Sequence, residues 1–100
     1  MIDRAFVFED FKDRVGTVFT LSEEGVPPIP LTLETAELGP ARFARPNMRP
    51  PFSLILICAR PEILPQRIYD FDHADMGRLS LFVVPVGRDE RGVLYQAVFN

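Results

Sequence analysis

The sequence is poor in the residues that crosslink a fold or mark a special site. Its 100 residues include one cysteine, one histidine and no tryptophan. A single cysteine cannot form an intramolecular disulfide, so the fold does not depend on an oxidising compartment. The first apolar run is very short and flanked by charges, which is untypical of a signal peptide or a membrane span. We therefore expect a cytoplasmic domain with no membrane association.

The composition is that of an ordinary globular protein. Hydrophobic residues make up 47% of the chain, and nine phenylalanines carry most of its aromatic content. A chain of this length buries roughly 60–65% of its unfolded surface on folding, which is enough for one core. We expect a single domain that covers residues 1–100.

Charge is unevenly distributed along the chain. The net charge is −3, and acids outnumber bases by eight to three from Met1 to Leu38. The segment from Gly39 to Arg60 has four arginines and no acid. The acidic total disfavours general nucleic-acid binding. The arginine-rich segment remains a candidate contact surface.

A helical pattern at the start gives way to strand patterns. Phe8, Phe11 and Val15 recur at helical spacing before Gly16, which predicts one short N-terminal helix with a left-handed glycine after it. From there the apolar period is two residues, as expected for half-buried strands. The strands are predicted at residues 17–22, 29–34, 52–59, 66–73, 78–86 and 93–100.

Three segments give further information on how the strands are arranged and connected. Gly39 to Pro51 contains four prolines after its glycine and is expected to be a long, stiff loop. Residues 52–59 are apolar on both faces, which predicts a central strand covered from two sides. Gly87 to Gly92 is a short charged loop with glycine at both ends, typical of a β-hairpin. The sequence predicts an all-β fold, a small antiparallel barrel or closed sandwich of about six strands.

The stretch DFDHADMG, residues 70–77, places three aspartates beside the only histidine. In a strand His73 faces away from Asp70 and Asp72, so the three do not form a compact ligand set. The spacing also fails the calcium-loop pattern. We expect a solvated aspartate face followed by a turn made by Asp75 and Gly77, with no metal and no cofactor.

Other residues offer weaker chemical hypotheses. His73 with Cys58 or Asp72 could serve as a base with a nucleophile or an orienting carboxylate, but no family-type signature surrounds them. Tyr69 and Tyr95, together with Phe71 and Phe99, could line a ligand cavity, although such residues more often fill a small barrel. We expect no catalytic residues and retain Tyr69 and Tyr95 as candidate small-molecule contacts.

The proline-rich loop offers the best candidates for contact with a partner. Arg42, Arg45 and Arg49 lie three and four residues apart, with apolar residues between them. They could bind an acidic protein surface, and a phosphate ligand is less favoured because no glycine-rich cradle accompanies them. The alternative is that they pair with the acidic first third of the chain.

The C-terminal half carries a recognisable series of motifs. PPFSLIL (residues 50–56), LPQRIYDFDHADMGRLSLFVVPVG (64–87) and YQAVFN (95–100) resemble an uncharacterised family of small bacterial domains of unknown function. The resemblance implies a cytoplasmic, β-rich bacterial protein and a role in assembly, in association with a phage-tail-like system. It brings no activity and no catalytic residues.

From these patterns we expect a non-enzymatic protein-interaction or assembly module. The expected partners are another protein or a second copy of the chain, with nucleic acid disfavoured. The alternative function is a small-molecule-binding β-barrel.

Overall fold

Six antiparallel strands close into a barrel in the computed structural model, which describes residues 6–40, 46 and 49–99. The order around the barrel is β1-β2-β3-β6-β5-β4, and β4 pairs back onto β1. This architecture confirms the predicted all-β class. The elements are α1 (Glu9–Lys12), β1 (Val18–Glu23), β2 (Val26–Leu38), β3 (Phe52–Cys58), β4 (Arg67–His73), β5 (Gly77–Asp89) and β6 (Gly92–Phe99).

Alternate residues of every strand fill the barrel interior. Because successive side chains of a strand point to opposite faces, the period-two pattern separates an inner set from an outer set. The inner set is almost wholly apolar and includes Leu31, Leu54, Phe71, Leu81 and Tyr95, each at most 2% exposed. The barrel interior is therefore a packed core rather than a ligand cavity.

A short helix closes one end of the barrel. The side chain of Phe11 is fully buried, and its ring centroid lies 5.9 Å from that of Phe52 and 6.2 Å from that of Phe19. The helix ends earlier than its apolar spacing predicts, and Val15 is 46% exposed. Gly16 has the positive φ expected of it, at +93°, where the chain turns into β1.

Three prolines lie in the first part of β2, where the strand has a neighbour on one side only. Pro27, Pro28 and Pro30 belong to the half that pairs with β1, whereas pairing with β3 begins at Thr32. A proline has no N–H to donate, so it is tolerated where the adjacent strand is missing. The three prolines therefore occupy a part of β2 where their missing N–H groups leave the pairing with β3 intact.

The outer face of β3 differs from its prediction. The strand spans Phe52–Cys58, one residue shorter than predicted, and lies between β2 and β6, but Ile55 and Ile57 on its outer face are only half-buried. The prediction that this strand is covered from two sides is therefore wrong within the described residues. Its apolar outer residues face outward and no second layer of the described chain covers them.

The predicted hairpin between β5 and β6 is present and tighter than expected. The ladder continues through Gly87 and closes at the Asp89–Gly92 pair, so only Glu90 and Arg91 lie between the two strands. Gly92 has φ +143°, and a Cβ at this position would overlap the carbonyl group of Cys58. A glycine is therefore required for this close approach between β6 and the end of β3.

Candidate protein-interaction surface

One side of the barrel carries an apolar outer surface, which we call the outer wall. Three of its side chains are strongly exposed: Ile68 at 63%, Phe82 at 49% and Val98 at 54%. Three more are half-buried on the outer sides of their strands: Ile55, Val84 and Leu94. Isolated exposed apolar residues are normal, but an adjoining group on neighbouring strands is typical of an interaction surface.

Strand register brings these outward residues together. Gln96 on β6 is paired with Ile55 on one side and with Val84 on the other. Ile68 is paired with Phe82 across β4 and β5. Phe82 lies two residues along β5 from Val84, so both project from the same face of the strand. The outer wall is thus a continuous set of side chains with one amide, that of Gln96, among them.

Charged residues flank the outer wall but do not enter it. Asp70 accepts a hydrogen bond from Ser80 Oγ at 2.7 Å, immediately beside the Ile68–Phe82 pair. On the other flank, exposed Glu37 is paired with Ser53 of β3. These flanking side chains are exposed or half-exposed, so contact with the outer wall does not require the burial of a charge.

Asp70 and Asp72 of the DFDHADMG stretch occupy the outer face of β4, as predicted. Asp72 accepts two hydrogen bonds from Arg78, 3.0 Å from Nε and 3.1 Å from Nη2. These bonds hold the pKa of Asp72 below its ordinary value. The Arg78–Asp72 bonds and the Ser80–Asp70 bond form a polar region on the outside of the β4–β5 hairpin. This region lies toward the end of the barrel that the helix closes. Within the described part of the chain, no three acidic, histidine or cysteine side chains are grouped as metal ligands.

His73 points to the opposite face and orders the turn that follows it. Its side chain is 7% exposed, and Nδ1 accepts hydrogen bonds from the backbone N–H groups of Asp75 (3.0 Å) and Met76 (3.3 Å). Because Nδ1 is an acceptor, the neutral ring carries its proton on Nε2 and donates to Thr17 Oγ1 at 2.9 Å. The threonine hydroxyl donates in turn to the carbonyl of Arg14 at 2.6 Å.

The same network explains how the turn is held. The turn N–H groups donate to His73, and the Asp75 carboxylate faces Arg14 Nε at 3.9 Å. Gly77 has φ +73°, as expected. Burial lowers the pKa of His73; the Asp75 carboxylate opposes this shift and the Arg14 guanidinium adds to it. The arrangement suits a structural histidine that stays neutral.

The two candidate catalytic pairs are not assembled. Cys58 is buried at the end of β3 beside Val93 of β6, whereas His73 lies at the opposite, helix end of the barrel, against Phe19. Asp72 and His73 are neighbours in sequence but project from opposite faces of β4. Neither arrangement places a nucleophile or a carboxylate within hydrogen-bond reach of the imidazole.

Tyr69 and Tyr95 are core residues that fasten a loop across the second end of the barrel. Tyr95 Oη accepts a hydrogen bond from Leu64 N at 2.9 Å, and Tyr69 Oη donates to the Pro65 carbonyl at 2.6 Å. Burial raises the pKa of both phenols. Their hydroxyl groups thus hold the backbone of the loop at Leu64 and Pro65, and their rings fill the interior.

A small cavity lies at this second end of the barrel. Its volume is about 170 Å³, and its lining is predominantly apolar. The residues around it are Val26, Ile29, Cys58, Arg60, Glu62 and Leu64. Neither candidate tyrosine is among them, so a ligand here would contact residues other than those predicted from the sequence.

Only one of the three candidate arginines is described. Arg42 and Arg45 lie outside the described residues, and their predicted role stays a prediction. Arg49 Nη1 donates to the carbonyl of Phe6 at 2.6 Å, and its guanidinium lies 5.5 Å from the ring centroid of Phe99. Arg49 therefore holds the N-terminal segment onto the barrel end, a structural contact that the sequence did not indicate.

The fold and its surfaces define a small closed β-barrel domain whose interior is filled. The chain belongs to the family described as "Domain of unknown function (DUF6916)", whose model matches residues 6–99. This membership agrees with the family resemblance seen in the sequence. Comparison with curated proteins and with solved structures finds no match. Within the described residues, no helix is long and apolar enough to cross a membrane.

Proposed function

We propose that this domain is a non-enzymatic protein-interaction or assembly module that binds through its outer wall. The observation that carries the proposal is the register of Ile68 with Phe82, two large apolar side chains that are paired on the outside of a barrel with a full interior. The cytoplasmic location and the association with a phage-tail-like assembly, both expected from the sequence, belong to the same proposal.

The energetic case comes from the area of the exposed side chains. Removing apolar surface from water contributes about 25 cal/mol per Å². Large aromatic residues at the centre of an interface commonly provide much of the binding energy. Phe82 is 49% exposed with Ile68 beside it, so its burial by a partner gains apolar area without desolvating a charge. Phe82 is therefore the residue whose loss is expected to weaken binding most.

The test compares Phe82→Lys with a matched control, Ile63→Lys. Ile63 is 58% exposed but lies in the loop at residues 59–66, which is not part of the outer wall. Proteins captured from a lysate of the source organism are identified, purified and titrated against each variant, and self-association is measured in parallel. We expect Phe82→Lys to weaken the measured interaction at least tenfold while Ile63→Lys retains it. An interaction equally strong in both variants, or no interaction of either kind, contradicts the proposal.

The cavity at the second end of the barrel supports a second candidate function. Its volume of about 170 Å³ is similar to that of cavities that take up a benzene-sized molecule. The candidate is a binding site for a small apolar compound. Native mass spectrometry of the purified protein checks it, and Ile29→Phe, which fills the cavity, is the matched variant. A bound mass that persists in Ile29→Phe contradicts this assignment.

A further inference from the structure

The outer wall has a single polar side chain near its centre. Gln96 is paired with Ile55 and Val84 on the neighbouring strands, and Leu94 and Val98 lie two residues to either side of it on β6. In the described structure its amide makes no hydrogen bond to another side chain. Any molecule that covers the outer wall must satisfy this amide, since a buried amide without a hydrogen-bond partner is unfavourable.

We infer that the outer wall binds a second copy of this chain, with a two-fold axis that passes through Gln96. A two-fold contact places each residue on the axis against its own equivalent. A primary amide has both an N–H donor and a carbonyl acceptor, so two Gln96 amides satisfy each other through reciprocal hydrogen bonds. The inference rests on the proposed function and names the partner of the same surface.

The charges around the outer wall are compatible with this symmetry. The six apolar residues and Gln96 carry no charge, so a two-fold axis at Gln96 brings no like charges together at the centre. Asp70 lies at one flank and Glu37 at the other, where both side chains stay in contact with water. Charged residues at the rim of an interface have small effects on affinity, so these flanking carboxylates do not prevent pairing.

The available area sets the expected strength. A patch of this kind offers roughly 500 Å² per copy, so the symmetric pair buries about 1,000 Å², at the lower limit for a specific interface. The dimer is therefore expected to dissociate on dilution, with a dissociation constant on the order of micromolar.

The test is a charge exchange at Gln96, measured by sedimentation velocity over a concentration series. In Gln96→Glu the axis places two carboxylates together, and in Gln96→Lys it places two ammonium groups together. Each variant alone is expected to dimerise at least tenfold more weakly than the wild type. An equimolar mixture is expected to dimerise again, because each glutamate then meets a lysine. Thr20→Glu and Thr20→Lys are the matched controls, since Thr20 is half-buried on the outer side of β1, which pairs with β2 and β4 and not with β6.

The outcomes separate the inference from the proposed function on which it rests. A wild-type dimer that Phe82→Lys abolishes, without rescue in the Gln96 mixture, overturns the two-fold axis at Gln96 and supports the outer wall as a contact surface. A monomer at every concentration overturns self-association, and the proposed function is then decided by the partner titration. A dimer unaffected by either Phe82→Lys or the Gln96 variants overturns both. Thermal unfolding of each variant establishes that it is folded.

Discussion

Replacing His73 by leucine is expected to destabilise the domain through the turn that the imidazole orders. The substitution removes the acceptor of the Asp75 and Met76 N–H groups and the donor to Thr17 Oγ1. An unsatisfied buried polar group costs about 1–3 kcal/mol, and Asp75 is exposed enough for water to compensate part of this. We expect a loss of about 2–3 kcal/mol, which for a domain of this size lowers Tm by about 10–20 °C.

The matched control for this substitution is His73→Asn. The Oδ1 atom of asparagine occupies nearly the position of imidazole Nδ1 and can accept from the same two turn N–H groups, as in an Asx turn. It cannot reach Thr17, so we expect His73→Asn to recover about 1 kcal/mol relative to His73→Leu. Chemical denaturation monitored by circular dichroism measures both variants. Equal stability of the two variants, or an unchanged Tm in His73→Leu, would refute the role assigned to the imidazole.

The same histidine implies that stability depends on pH. Burial holds its pKa in the folded protein below the ordinary value of 6.5. Between the folded-state pKa and 6.5, the unfolded chain binds a proton that the folded chain does not. The free energy of unfolding therefore falls as the pH falls through this window, and the full contribution is present above it. Denaturation from about pH 7.5 down to about pH 5 should show this slope in the wild type and a smaller one in His73→Asn.

Two further substitutions test the second end of the barrel. Gly92→Ala is expected to lower the free energy of unfolding by about 3 kcal/mol or more, because φ is positive and the added Cβ overlaps the Cys58 carbonyl. The control is Gly25→Ala, where φ is also positive but the added Cβ lies in open space, so we expect a loss of about 1 kcal/mol. Similar losses in the two alanine variants would contradict the close approach. Tyr95→Phe removes the acceptor for the Leu64 N–H and should accelerate hydrogen exchange at that amide, and unchanged protection would show that the hydroxyl does not hold the loop.

The local pattern of the sequence was sufficient to predict the barrel. The six strands were predicted from period-two alternation, the glycine turns and the hairpin before β6. The family resemblance agrees with the family match. The extent of the helix was wrong, because the chain must turn after Lys12 to enter β1, which leaves Val15 exposed despite its helical spacing. Apolar periodicity alone does not reveal such a turn.

The outer wall could not be predicted from any one strand. An apolar outer face on β3 was interpreted as coverage by a second layer, since periodicity does not show whether the same chain or another molecule covers a surface. Ile68 and Phe82 become neighbours only through the register of β4 with β5. The sequence signal for the outer wall was the occurrence of strand residues that are apolar on both faces. A 100-residue barrel has too little chain to cover such outer faces itself.

The most direct test of the central claim is a methyl NMR dilution series on the full chain, with the isoleucine and valine methyl groups labelled. The claim is that the chain pairs with a second copy of itself through the outer wall rather than through the cavity end. It predicts concentration-dependent shifts at Ile55, Ile68 and Val98, with none at Val26 or Ile29, which line the cavity. Shifts confined to Val26 and Ile29, or no shift in any methyl group across the series, would contradict it.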